Sequence, residues 1–142
     1  MSEQTESKST SRYDQGVTTR RRVLGDAHVD RAEANKTEFD TPFQQLITEA
    51  AWGHVWSRET WSMRERSIVT LALLCAQGNW EEVEMHIRAT ANTGATREDI
   101  QELILHLAIY TGVPTANHAI KIAKQTFAEI DASSDPNEET GP

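Results

Sequence analysis

Apolar residues recur along this chain at steps of three and four, and no stretch alternates with period two for long, so the pattern predicts helices and no sheet. From Arg12, helical steps link Val17, Arg21 and Leu24, with Gly25 as the C-cap, and Asp26 caps a second helix, "DAHVDRAEANKT". Thr41 followed by Pro42 reads as an N-cap with proline at the first helical position. That helix, "PFQQLITEAAWGHVW", is expected to bury Phe43, Leu46, Ile47 and Ala50, with Trp52 and Trp56 one turn apart beyond them. "SRETWSM" reads as a connector pinned to the core by Trp61. From Arg64 to Gly78, "RERSIVTLALLCAQG" is apolar nearly all round, which predicts a central helix buried on most sides.

The stretch "WEEVEMHIRATANTG", Trp80 to Gly94, places Val83, Ile87, Thr90 and Gly94 on one stripe at about 100° per residue. His86 falls on the flank of that stripe, one turn beyond Glu82. Thr96 with Asp99 forms a capping-box start for the next helix, whose main stripe is Ile100, Leu103, Ile104, Leu107 and Ala108. Leu105 and Ile109 point to its opposite side, which suggests a subunit interface. Gly112 and Pro114 end it, and a last helix from about Thr115 to Ile130 turns Ile122, Ala123, Thr126, Phe127 and Ile130 inward. The expected fold is all-α, a single domain of six or seven helices over residues 12–131. The segments 1–11 and 132–142 are expected to be disordered tails.

At 142 residues, with 37% hydrophobic and 25% charged residues, the chain can bury a core of its own. Its net charge is −8; the segment from Asp131 onward has four acids and no base, and the first eleven residues have two acids and one Lys, leaving −3 for the body. A body of that sign argues against nucleic-acid binding. The run Arg20–Arg22 is the one basic cluster, read as a solvated or subunit-contacting face rather than a phosphate site. No apolar run is long enough to cross a membrane, and the first residues lack a secretory core. One cysteine, Cys75, excludes an intrachain disulfide and reads as a small core residue. A cytoplasmic protein is the expectation.

No glycine-rich phosphate loop, GxSxG elbow or HExxH zinc helix is present. Three polar clusters interrupt the apolar helices: Glu82/His86, Glu102/His106/Tyr110 and Asn117/His118. Bundle metal sites use Glu-x-x-His with several inward carboxylates, a spacing missing here, so no metal is expected. Each histidine taken alone is compatible with a packed core-edge residue as much as with chemistry, and His28, His54 and His118 read as structural or interfacial. Arg66, at the start of its helix, opposes the helix dipole and therefore calls for an acid or a pocket nearby.

The motifs "RRRVLGDAHVDRA", "WGHVW", "RERS", "HIRATANTG" and "YTGVP" resemble the carboxymuconolactone decarboxylase family, within the alkylhydroperoxidase-D-like helical proteins. The resemblance covers Arg12 to Ile130. Thiol peroxidases of the wider group carry a CxxC pair before a histidine; here that histidine falls on His86 and the cysteine positions fall on Asn79 and Glu82. Thiol redox chemistry is thereby excluded, and Cys75 is misplaced to restore it.

The resemblance implies decarboxylation of 4-carboxymuconolactone to β-ketoadipate enol-lactone in aromatic catabolism, without a cofactor. It also implies a homo-oligomer, a hexamer built as a trimer of dimers. On this reading His86 is the general acid or enolate donor and Arg66 anchors a carboxylate or the lactone oxygen. His106 and Tyr110 position the dianionic lactone, Trp80 walls the pocket, and Glu82 orients His86 across one turn. A bonded, merely structural Tyr110 hydroxyl is the rival for that residue. Two other readings stand beside this one: a decarboxylase of another small carboxylated lactone or keto acid, and a non-catalytic helical oligomer that binds a ligand.

Overall fold

A computed structural model of the chain describes residues 10–134, and all regular structure among them is helical. They fall into two compact units that divide between Thr60 and Trp61.

The first unit holds α1 (Arg12–Leu24), α2 (Asp26–Asn35), α3 (Thr41–Ile47) and a π-helix (Thr48–Trp56). Ser11 caps α1 by accepting from the Asp14 amide, and Gly25 ends it at φ 88°, a left-handed value that glycine takes without strain. Gly16 lets α1 lie directly on the π-helix: a Cβ there would stand 2.0 Å from the Thr48 carbonyl oxygen. Thr19 and Ser57 hydroxyls meet at 2.7 Å, and Ser57 donates to the Trp52 carbonyl at 2.6 Å.

Three expectations change here. Phe43, Leu46 and Ala50 are exposed, and the buried face is Thr48, Trp52, Gly53 and Trp56. Phe43 and Leu46 lie in α-helical turns that no helix of the unit covers, and α1 packs instead over the wider π segment that follows. Arg20–Arg22 likewise do not form one solvated face. Arg20 is 7% exposed, Arg21 pairs with Asp26 at 3.2 Å and Asp30 at 2.8 Å, and Arg22 is exposed. Consecutive helical positions lie about 100° apart, so three in a row cannot share an environment. The cap of α3 is Asp40, one residue before the expected Thr41.

The second unit holds α4 (Met63–Gln77), α5 (Trp80–Thr93), α6 (Arg97–Tyr110) and α7 (Val113–Ser133). Its core joins Leu71 and Cys75 of α4, Val83 and Ile87 of α5, Ile100, Leu103, Ile104 and Leu107 of α6, and three alanines of α7. Helix α4 touches all three others, as a central helix should. It buries Ser67, Leu71 and Cys75, while Val69 and Leu73 on its outer side stay exposed, because its partners within the unit lie to one side.

Two capping boxes start α4 (Ser62 with Glu65) and α6 (Thr96 with Asp99). Arg97 bridges α6 to α7 by gripping Asp131 at 2.6 and 3.1 Å, with its guanidinium 4.4 Å from the Phe127 ring centre. Arg88 joins α5 to α7 through Glu129. As expected, Leu105 and Ile109 face away from the core of α6. Helix α7 runs to Ser133, so Ala132 and Ser133 are helical; the rest of both expected tails, residues 1–9 and 135–142, lies outside the described residues. No helix among the described residues is long and apolar enough to cross a membrane.

Candidate functional site

Helix α5 places the histidine. Glu81 and Glu82 in its first turn complement the helix dipole, and Gly94 closes it in the left-handed region. Its buried face is Val83, His86, Ile87, Ala89 and Thr93. His86 is 7% exposed, deeper than a flank position implies. An imidazole in that setting works in a low-dielectric environment, where a hydrogen bond or a transferred proton counts for more than in water.

Arg66 lies half-buried in the first turn of α4. Its guanidinium carbon is 5.8 Å from the Trp61 ring centre, within cation–π range. Trp61 is itself exposed, so it packs on Arg66 instead of pinning the connector to the core. Beside Arg66, the Ser67 side chain is fully buried and its hydroxyl has no hydrogen-bond partner among the described residues. The sequence reading passed over Ser67 as part of an apolar helix; its i, i+4, i+8 register with Leu71 and Cys75 was the available signal.

His106 and Tyr110 stack at 4.9 Å and 20° on the exposed side of α6. They line a groove of about 500 Å³ between α4 and α6, whose other walls include Ile68, Val69, Leu73 and Glu102. Neither His86 nor Arg66 lines this groove. Trp80 is a third location: its ring stacks on that of His118 with centres 4.1 Å apart and planes parallel within 1°, which ties the start of α5 to α7. Sequence spacing offers no signal for that pair, since the two residues sit on separate helices.

Glu82 is exposed and its carboxylate makes no hydrogen bond to His86. Four residues advance a helix by about 40° beyond a full turn, enough to carry Glu82 out to solvent while His86 stays inside. Cys75 is buried, and desolvation pushes its thiol up to about 11. Among the described residues, no three His, Cys, Asp or Glu side chains are grouped to hold a metal ion.

The arrangement places a buried imidazole on α5 and a guanidinium on the adjoining α4, within one helical unit. Residues 41–125 match the profile of the Carboxymuconolactone decarboxylase family, a span that includes every candidate residue above. The chain is 43% identical to a 4-carboxymuconolactone decarboxylase of Acinetobacter baylyi over 84% of this chain and 89% of that one. It is 39% identical to a nitrosuccinic acid decarboxylase of Metarhizium robertsii, covering 83% and 82% of the two chains. A short Pseudomonas putida 4-carboxymuconolactone decarboxylase sequence matches at 52% over 30% of this chain and 88% of its own length. The buried histidine, the helical unit that holds it and these matches lead to one conclusion: the chain belongs to the carboxymuconolactone decarboxylase family.

Proposed function

We propose that this protein is a carboxy-lyase that converts 4-carboxymuconolactone to β-ketoadipate enol-lactone and CO2 in the breakdown of aromatic acids. The observation that carries the reading is His86, a buried histidine on α5, with Arg66 in the first turn of α4 of the same helical unit.

The chemistry follows from the substrate. When the ring carboxylate leaves as CO2, its bonding electrons pass through the adjacent double bond to the lactone carbonyl, giving a dienolate. Protonation at carbon then completes the product. The lactone carbonyl is the electron sink, so the reaction calls for no prosthetic group. Arg66 supplies a planar fork for a carboxylate or the developing enolate oxygen, and His86 supplies the proton or a hydrogen bond to the enolate. His106 and Tyr110 line a separate groove and Trp80 stacks on His118, so none of the three is assigned contact with the reacting atoms. Glu82 contributes negative charge near the start of α5 and acts on His86 through the field alone.

A second reading is favoured by the nitrosuccinic acid decarboxylase relative: another small acid whose carboxylate lies next to an electron sink. A nitro group accepts the electrons of a departing carboxylate as a lactone carbonyl does, so the same residues serve both. Following CO2 release from the lactone, with His86→Ala and Arg66→Ala as controls, tests the first reading. Turnover of nitrosuccinate or a keto acid in place of the lactone moves the assignment to the second.

The working form we propose is a cytoplasmic homo-hexamer, a trimer of dimers, with Leu105 and Ile109 of α6 covered by a neighbouring copy. Light scattering coupled to size exclusion checks it, and a monomer at micromolar concentration overturns it.

A further inference from the structure

Phe39 in the turn before α3, and Phe43 and Leu46 on α3, are 96%, 58% and 60% exposed. Single apolar side chains scattered over a surface need no explanation, but three large ones at spacings of four and three form one stripe. The start of the stripe is held in place. Asp40 accepts from the Thr37 amide at 2.7 Å and from the Thr37 hydroxyl at 3.2 Å, and Thr41 donates to the Thr37 carbonyl at 2.6 Å. Phe39 is thus presented by an ordered turn, and an anchor fixed before contact loses little entropy on docking.

The second unit carries a surface of matching form. The groove between α4 and α6 holds about 500 Å³ and is walled mainly by aliphatic side chains, of which Val69 and Leu73 stay 38% and 57% exposed. Along α6 it runs from Glu102 to Tyr110, about 12 Å of helix, and Phe39 to Leu46 covers about 10 Å at the same rise. Leu105 and Ile109 lie one stripe further round α6 and form an exposed apolar rim. The sequence outside the described residues has nothing to fill either surface, since 1–9 and 135–142 hold one large apolar residue, Met1. Stripe, groove wall and rim together remove about 1,000 Å² from water when they meet, the area a specific contact needs.

We infer that the stripe Phe39, Phe43 and Leu46 of one copy docks in the α4–α6 groove of a second copy of this chain. The mode is a helix laid in an apolar groove, with anchors at i, i+4 and i+7. Every chain carries one stripe and one groove, so copies supply the two surfaces in equal number and no different partner is needed. The contact gives His106 and Tyr110, which line the groove that His86 does not, a place at an interface. The inference rests on the homo-oligomer proposed above and names the element of the neighbour that meets α6; it is independent of the decarboxylase reading.

The test uses the full chain, with sedimentation velocity and light scattering for mass and circular dichroism for folding. Phe43→Asp and Leu73→Asp alter side chains that are open to water in the single chain, so both variants are expected to fold. Each is expected to weaken assembly about thirtyfold or more, the loss of one buried anchor. Cross-linking reads the placement. Phe43→Cys chains mixed with Leu73→Cys chains under mild oxidation are expected to give a disulfide-linked pair on a non-reducing gel, and neither variant alone should. The native Cys75 is buried and stays silent. Phe43→Cys or Leu73→Cys linking to itself in preference to the mixed pair sets like against like and overturns the inference. So does an oligomer whose mass and affinity survive Phe43→Asp, a result that leaves the homo-oligomer standing. A native protein that is monomeric at micromolar concentration overturns both and moves the stripe and the groove to a different partner.

Discussion

Arg64 in the first turn of α4 grips Asp99 in the first turn of α6, with Nε 2.8 Å from one carboxylate oxygen and Nη2 2.5 Å from the other. The same carboxylate accepts from the Thr96 amide, so it closes the capping box of α6 and joins two core helices together.

That double duty makes Asp99 an acid-sensitive group. The Arg64 hydrogen bond first, and the Thr96 amide next, hold its carboxyl at about 2, below the ordinary 3.8. A depressed carboxyl contributes stability that is present above its unfolded value and lost as pH falls through its folded value. Stability measured by urea unfolding should therefore fall as pH drops from about 4 to about 2. Asp99→Asn should flatten that part of the profile. Thr96→Ala should cost about 1 kcal/mol at neutral pH, the usual cost of a lost N-cap. An Asn variant with the native acid profile would remove Asp99 from the account.

For the reaction, His86→Ala should lower kcat about 10² to 10⁴-fold, the range of a positioned acid–base group. Arg66→Lys keeps the charge but loses the fork, and should raise KM more than it lowers kcat. Both are read in steady-state CO2 release, with circular dichroism to establish that the variants fold. Native turnover in either variant excludes that residue.

Cys75 should be silent toward thiol reagents while the protein is folded. With its thiol near 11, about one molecule in a thousand carries the thiolate at pH 8, and its side chain is buried between core helices. A disulfide reagent should label it only after denaturation. Rapid labelling at pH 8 without denaturant would show that the α4 core opens easily.

Two substitutions separate backbone contact from side-chain packing. Gly16→Ala forces a Cβ into the Thr48 carbonyl, where backbone cannot yield, and should cost about 3 kcal/mol or more. Ile87→Ala, at a position 2% exposed in the second unit's core, should cost about 2–5 kcal/mol through the cavity left behind. Urea unfolding monitored by tryptophan fluorescence measures both.

Much of the helical layout was readable because it is local. The Thr96/Asp99 box, the Gly25 and Gly94 stops and the stripe Ile100, Leu103, Ile104, Leu107 depend on residues within a turn or two of one another. The errors came where another element decided. Phe43 and Leu46 fit an apolar stripe, yet no helix of their unit covers them, and the π-turn that follows sends Trp52 and Trp56 to the buried side instead. Arg20 reads like its neighbours in "RRR", but burial at that one position depends on what α1 lies against.

The candidate site divides in the same way. The motif around His86, and the absence of cysteines at Asn79 and Glu82, were legible as residue identity and spacing. The stacking of Trp80 on His118, the placement of His106 and Tyr110 in a groove that His86 does not line, and the outward turn of Glu82 were not.

By itself the sequence determined most of the helices and several of their caps, the lack of a redox pair and the residue types capable of anchoring and protonating an acid, because each depends on composition or on neighbours along the chain. Only the tertiary structure decided how deeply His86 is buried, which polar pairs meet and that Arg20 is buried while Arg22 is not. Burial and long-range contact are properties of packed helices, and a periodic pattern gives a helix its apolar side without saying what will cover it.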